Sequence, residues 1–195
     1  MLMTLTSVSL KEYCLKKGDN NCEEVNLTVP FSLRPLPDSP SELIMANDFA
    51  PLPIKLVVRN DFESTMEIVS KDMKKLRTSF QPYGMYYFLW ILLQLPTIGA
   101  YFGLDDLANK LTMVYSNVAG PKVPIKFNGQ SSHKLFFYVP AVGKLAVGLS
   151  IISHGDVLKL GFSSDESYCD DPQELIDIFE RNFKKYVVDF ELASV

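Results

Sequence analysis

Histidine and cysteine, the side chains that most often carry out catalysis or bind metal ions, are scarce in this 195-residue sequence. There are two histidines and three cysteines. Cys14, Cys22 and Cys169 include no CxxC pair and have no histidine at the spacing of a zinc site. We therefore expect no metal site. An odd number of cysteines without a paired pattern also indicates a reducing, cytosol-facing environment.

An excess of positive charge is absent too. The formal net charge is −4, and the basic residues are scattered singly or in pairs. A protein that binds nucleic acid usually concentrates its lysines and arginines in one patch that neutralises phosphates. We therefore expect no nucleic-acid partner.

Sequence motifs of the common enzyme classes are missing. There is no GxGxxG or GxxxxGK[ST] phosphate loop and no HExxH. Neither His133 nor His154 has sequence neighbours that complete a nucleophile and acid–base set. A tight turn accounts for His154-Gly155-Asp156 without any chemistry. We expect no catalytic residue in this chain.

Residues 78–104 contain no charged side chain, and this run is long enough to cross a bilayer. Five helix breakers interrupt it: Pro82, Gly84, Pro96, Gly99 and Gly103. The longest unbroken apolar stretch, residues 85–95, is too short to span, so the sequence predicts a buried or peripheral segment. Its tyrosines and tryptophan suit a lipid headgroup boundary as well as plain burial.

The remaining pattern is typical of one globular domain over residues 1–195, since 47% of the residues are hydrophobic and 22% are charged. Helical spacing predicts helices near residues 2–17 and 62–80, and a further helix that begins at Pro172. Alternation predicts strands at residues 25–33, 111–118, 145–152 and 157–164, with Pro30 indicating an edge strand or a bulge. The fold class is α/β (α+β), with a mixed, mostly antiparallel sheet covered by helices.

A family resemblance rests on four segments in order. Residues 116–121 read Ser-Asn-Val-Ala-Gly-Pro, which resembles the Ser/Thr-Asn-Val-Pro/Val-Gly-Pro string of the wax ester synthase/diacylglycerol acyltransferase (WS/DGAT) C-terminal domain, departing only at Ala119. Pro-Phe-Ser-Leu-Arg at 30–34 resembles its Pro-Val-Ser-Leu-Arg. Residues 47–53 are similar to its Gly-Asn-x-Phe-x-x-x-x-x-Leu-Pro segment, and residues 163–178 to its Ala-Asp-x-x-x-x-x-Asp-Pro-x-x-Leu ending.

The resemblance implies the C-terminal lobe of a two-lobed coenzyme-A-dependent acyltransferase with a tunnel between the lobes. The family's catalytic base is the second histidine of an HHxxxDG motif in the N-terminal lobe, and these 195 residues lack that motif. The partners it implies are an N-terminal lobe, in the same or another chain, with acyl-CoA and a lipid alcohol as substrates and no cofactor. The candidate tunnel or lobe-interface residues are Ser116, Asn117, Val118, Gly120 and Pro121.

The sequence thus favours one lobe of an acyl-CoA:alcohol O-acyltransferase of wax ester or triacylglycerol synthesis, inactive alone. We expect it in the cytoplasm, or peripheral on the endoplasmic reticulum or another membrane. Two rivals stay open. One is a non-catalytic lipid-binding or scaffold subunit with the same fold, and the other is a membrane protein anchored through residues 78–104.

Overall fold

The computed structural model describes residues 1–34, 39, 41, 48–123, 125–132, 134–140, 145, 147–155, 157–167, 169 and 171–193. His133, Asn47, Asp156 and the side chain of Phe190 therefore lie outside the described residues. Within them the helices are α1 (Leu2–Lys16), α2 (Phe62–Thr78), α3 (Gln81–Leu93), α4 (Thr97–Asn109) and α5 (Pro172–Ala193). The strands are β1 (Glu24–Ser32), β2 (Phe49–Val57), β3 (Met113–Val118), β4 (Lys126–Phe127), β5 (Gln130–Ser131), β6 (Val147–His154) and β7 (Val157–Ser164).

Five strands form one mixed sheet in the order β2-β1-β3-β6-β7. The two outer pairings, β1 with β2 and β6 with β7, are antiparallel, whereas β3 runs parallel to both of its neighbours. Strands β4 and β5 form a separate hairpin whose turn residues, Asn128 and Gly129, both have positive φ. The predicted α/β fold with a mixed sheet and covering helices is confirmed.

Three helices cover one face of the sheet. α1 packs between α2 and α5, and its first half is buried. The side chains of Leu27, Met113 and Leu149 point to this face from three adjacent strands and pack with Met3 of α1 and Val69 of α2. The period-two strands and the helical stripes therefore pack together in one hydrophobic cluster, as their spacing predicts.

The last helix and the last hairpin match their sequence signals. Asp171 Oδ1 accepts a hydrogen bond from the Glu174 amide at 3.0 Å, and Pro172 is the first residue of α5. This is a side-chain N-cap followed by a proline, the pattern that predicts a helix start. Gly155, with φ +58°, makes the turn between β6 and β7.

Two details of the predicted elements are wrong. β1 is an inner strand, although Pro30 indicates an edge or a bulge. On β1 the pairing with β3 includes only Leu27 and Thr28. Pro30 lies beyond these residues, so the N–H that proline lacks is not needed for a hydrogen bond to β3. The predicted helix at 62–80 ends at Thr78, because Ser79 is extended, and Phe80 is exposed instead of continuing the buried stripe.

The uncharged run of residues 78–104 forms α3 and most of α4, which contact each other and are separated at Pro96. No helix in the part of the chain that the structure describes is long and apolar enough to span a bilayer. α3 packs on β2, yet Pro82 and Leu92 are its only buried side chains, and α4 has none. The reading of this segment as plainly buried is therefore wrong.

Candidate functional site

The candidate site lies where β3 and β6 end. Parallel neighbours finish at the same edge of a sheet, and these two stay in register up to the pair Val118 and Ile152. Asn117 and Val118 are exposed at that edge, whereas their partners Ile151 and Ile152 are buried. The Ser-Asn-Val string thus presents an amide side chain and an apolar side chain at the end of a central strand.

Ser116 faces the other side of the sheet from Asn117 and is buried. The one hydroxyl hydrogen of its partner Ser150 is shared between two acceptors, the Phe137 carbonyl and, at 3.0 Å from Oγ, the Gly161 carbonyl. The contact with Phe137, together with the bond from Ser163 Oγ to the Val139 carbonyl, holds the segment of residues 134–140 against β6 and β7. Ser116 is therefore buried on the face of the sheet opposite to the three helices.

Gly120 and Pro121 pack against the turn between β6 and β7. The Gly120 amide donates to Ser153 Oγ at 3.1 Å, and the Gly155 amide donates to the Pro121 carbonyl at 3.1 Å. A Cβ on Gly120 would lie 1.9 Å from the Ser153 carbonyl oxygen, which excludes any other residue without a backbone shift. The five candidate residues therefore form two groups. Asn117 and Val118 are exposed, whereas the other three contact residues of this same domain.

A contact that the sequence does not reveal joins Ser132 to His154. Ser132 Oγ lies 3.0 Å from His154 Nε2, and His154 is 8% exposed. His154 therefore does have a neighbour that orients it, contrary to the sequence-based expectation. The contact joins the segment after the β4–β5 hairpin to the end of β6. Twenty-two residues separate the partners, so no local spacing could have predicted it.

The Ser132–His154 contact has no third member among the described residues. His154 Nδ1 is buried, and no side chain of the described residues accepts a hydrogen bond from it. A serine nucleophile needs an oriented base, and the orienting group is normally a hydrogen-bond acceptor on the far nitrogen. The pair is explained as a structural link between two segments.

A separate apolar cavity of about 270 Å³ lies between the helical layer and the sheet. Met113, Leu149 and Phe162 form its floor, and Leu175 and Phe179 of α5 cover it. None of the candidate residues 116–121 lines it. Tyr115, the residue before the candidate string, packs in the core beside the cavity floor, and burial raises the pKa of its phenol above the ordinary value of 10, so it is neutral at physiological pH.

Comparison with known proteins identifies the family. The WS/DGAT C-terminal domain matches residues 46–186, which is most of the chain. The chain belongs to this family. The matched range contains the Ser-Asn-Val-Ala-Gly-Pro string and the capped start of α5, whereas the resembling segment at residues 30–34 lies outside it.

Solved structures share the fold. The wax ester synthase/diacylglycerol acyltransferase from Marinobacter aquaeolei VT8 is similar with a TM-score of 0.51 and 14% identity, over 96% of this chain and 42% of its own. A condensation domain described for chain release from the enacyloxin polyketide synthase has a TM-score of 0.52 and 12% identity, over 94% of this chain and 35% of its own. The starter condensation domain of rhizomide synthetase has a TM-score of 0.51 and 17% identity, over 96% of this chain and 41% of its own. No curated protein matches the sequence. The chain spans less than half the length of these structures, and identities this low show the fold alone.

Proposed function

We propose that this chain is the C-terminal lobe of an acyl-CoA:alcohol O-acyltransferase of wax ester or triacylglycerol synthesis. The observation that carries the proposal is the exposure of Asn117 and Val118 at the end of a central strand, within the string that resembles the family's own. Val118 is 44% exposed although its strand partner is buried. A second lobe that packs on this edge would cover both side chains.

In the proposed reaction the alcohol oxygen attacks the thioester carbonyl of acyl-CoA. An oxygen–carbon bond forms, the carbon–sulfur bond breaks, and coenzyme A leaves as a thiol that takes up the alcohol proton by way of a histidine. That histidine would belong to the HHxxxDG lobe. His154 does not suit the role, because Ser132 occupies its Nε2 and its Nδ1 is buried. We propose that this chain contributes an apolar wall of the acyl-binding tunnel. Each methylene of the acyl chain that is buried there contributes about 0.8 kcal/mol to binding.

Binding to an HHxxxDG lobe tests the proposed interface. Val118→Asp places a charge on the exposed edge, and burying an unpaired carboxylate opposes association. We expect the dissociation constant to increase at least about tenfold, which corresponds to about 1.4 kcal/mol of binding free energy. Leu15→Asp is the matched control, since Leu15 is 38% exposed at the end of α1, next to the start of β1 and away from the edge where β3 ends. Equal affinity of both variants, with unchanged circular dichroism, would contradict the assignment of this edge.

A lipid-binding or scaffold role is the second candidate, and the cavity between α5 and the sheet favours it. At about 270 Å³ it is just below the usual size of small-ligand pockets, and its walls are mainly apolar. Native mass spectrometry of delipidated protein with a fatty acid should then show one bound ligand. Leu158→Trp, which fills the cavity edge, should reduce binding, whereas Val157→Trp, outside the cavity, should not. Absence of any bound ligand would contradict this role.

We also propose that the α3–α4 hairpin lies on a membrane surface, which would hold a cytoplasmic chain at the endoplasmic reticulum or another membrane. Twelve large apolar side chains between residues 80 and 104 are exposed. Four exposed basic residues on α2 precede this surface: Lys71, Lys74, Lys75 and Arg77. Anionic headgroups attract such residues, while tyrosine and tryptophan favour the headgroup boundary. Carbonate washing should release the protein, and retention like that of an integral protein would favour the anchored alternative.

A further inference from the structure

The segment after α1 folds back over the end of that helix. α1 ends at Lys16, and Gly18 adopts φ +83°, a conformation that glycine favours. The Asp19 amide then donates to the Cys14 carbonyl at 2.8 Å. This bond returns the chain to the last turn of the helix and brings residues 19–22 beside Cys14.

Two further groups of contacts fix this returning segment. The Asn21 amide donates to Asp19 Oδ1 at 2.9 Å, which orients the carboxylate. Lys11 Nζ donates to the Asn20 carbonyl at 3.3 Å and to the Cys22 carbonyl at 2.8 Å. Cys22 is therefore held against α1 by a side chain one helical turn before Cys14.

The result is a cluster of three ligand atoms. Cys14 Sγ, Cys22 Sγ and a carboxylate oxygen of Asp19 all lie within 4.8 Å of one another. In a tetrahedral zinc site with Zn–S bonds of about 2.3 Å, neighbouring sulfurs are about 3.8 Å apart, so small side-chain rotations bring these atoms onto one ion. We propose that Cys14, Asp19 and Cys22 form a Zn²⁺ site.

The donor set selects a thiophilic cation. Two thiolates and one carboxylate suit Zn²⁺, whereas Mg²⁺ and Ca²⁺ require oxygen donors. Binding releases the two thiol protons and gives a net charge of −1 with the carboxylate, next to the Lys11 ammonium group. Three protein ligands leave the fourth tetrahedral position for water.

The sequence gives no sign of this site, because seven residues separate the two cysteines and no histidine is near them. Only the reversal at Gly18 brings Cys22 back to Cys14. Both thiols must lose their protons to bind the ion, so zinc affinity should fall as the pH is lowered.

The site would connect α1 to the start of β1. α1 packs against α5 and α2 and supplies Met3 and Leu5 to the core. A bound ion would hold the segment of residues 17–23 in its returned position. The proposed role is therefore structural stabilisation, and Zn²⁺ should raise the thermal midpoint of the chain by mass action.

Zinc titration of the reduced, chelator-treated 195-residue chain tests the proposal. We expect one Zn²⁺ per chain, measured against a chromophoric chelator, with about two protons released. Cys14→Ser and Cys22→Ser should each weaken binding about 100-fold or more, and Asp19→Asn about tenfold, since each removes or weakens one ligand. Cys169→Ser is the control, because the Cys169 thiol contacts Tyr13 and lies outside the cluster. It should leave zinc affinity unchanged.

Two results would overturn the proposal. One is zinc binding that both cysteine variants retain at full affinity. The other is a reduced chain that takes up no Zn²⁺. If air then oxidises that chain to a Cys14–Cys22 disulfide, the pair serves redox chemistry instead of metal binding. Should a cysteine variant fail to fold by circular dichroism, Asp19→Asn decides the outcome. Its side chain is exposed, and unchanged zinc affinity in that variant would overturn the assigned ligand set.

Discussion

Gly120 and Ser153 are in direct contact, with the Gly120 amide donating to Ser153 Oγ at 3.1 Å and no room for a Cβ beside the Ser153 carbonyl. Gly120→Ala should therefore destabilise the fold by roughly 1–3 kcal/mol through overpacking. Gly99→Ala is the matched control, because its Cβ would make only ordinary contact, at 3.6 Å, with Leu95. Urea unfolding measures both variants. Equal midpoints would show that the chain around Gly120 adapts freely.

Asn117 and Asn182 are predicted to respond differently to truncation. Asn182 is buried on α5, and its Nδ2 donates to Ser9 Oγ at 3.2 Å, so Asn182→Ala should cost about 1–3 kcal/mol. Asn117 is exposed, so Asn117→Ala should keep the thermal midpoint and weaken binding to an HHxxxDG lobe. If Asn117→Ala unfolds the chain as readily as Asn182→Ala, the residue has a structural role and the interface assignment is wrong.

The N-cap of α2 predicts a pH dependence. Hydrogen bonds from Ser64 lower the pKa of Asp61 below its ordinary value of 3.8, so the folded state favours the carboxylate. The stabilisation is fully present above pH 3.8 and is lost as the pH falls through the lower folded value. The stability difference between wild type and Asp61→Ala should shrink below pH 3.8. Asp61→Asn, an uncharged cap, should differ from Asp61→Ala by an amount that is independent of pH.

The α3–α4 hairpin should bind vesicles with a dependence on lipid charge. Vesicles that contain phosphatidylserine should sediment more protein than neutral vesicles, and added salt should reduce the difference. Ile98→Asp, at a side chain that is 73% exposed, should weaken binding to both kinds of vesicle. Val157→Asp, outside the hairpin, should not. Undiminished binding of Ile98→Asp would show that another surface contacts the lipid.

Local patterns predicted the helices α1, α2 and α5 and the strands β1, β3, β6 and β7, but not the division of residues 78–104 into α3 and α4. Strand alternation and helix stripes are set by burial on one side, and the Asp171 cap and the Gly155 turn depend on residues close together in the chain. Element boundaries and strand order were less accessible. Pro30 indicates an edge because sequence does not reveal that the β1–β3 pairing stops at Thr28.

The long-range contacts of the candidate site could not be read from the sequence. The Gly-Pro string predicts a turn, but it does not show that Ser153, 33 residues later, lies against Gly120. The same holds for Ser132 and His154, which come into contact only when β6 has taken its place in the sheet. Hydrophobicity alone also cannot separate burial from exposure, so the exposed surface of α3 and α4 needed the structure.

The most direct test of the proposed function is acyl transfer by this chain, assayed with acyl-CoA and a long-chain alcohol or a diacylglycerol, alone and then with an HHxxxDG-bearing lobe. The chain alone should show no turnover, because general-base catalysis contributes roughly 10²- to 10⁴-fold and the second lobe is needed to position both substrates. Addition of the lobe should restore activity. Turnover by the chain alone that His154→Ala abolishes would contradict the account, since it would make the Ser132–His154 pair catalytic and place the active site within these 195 residues.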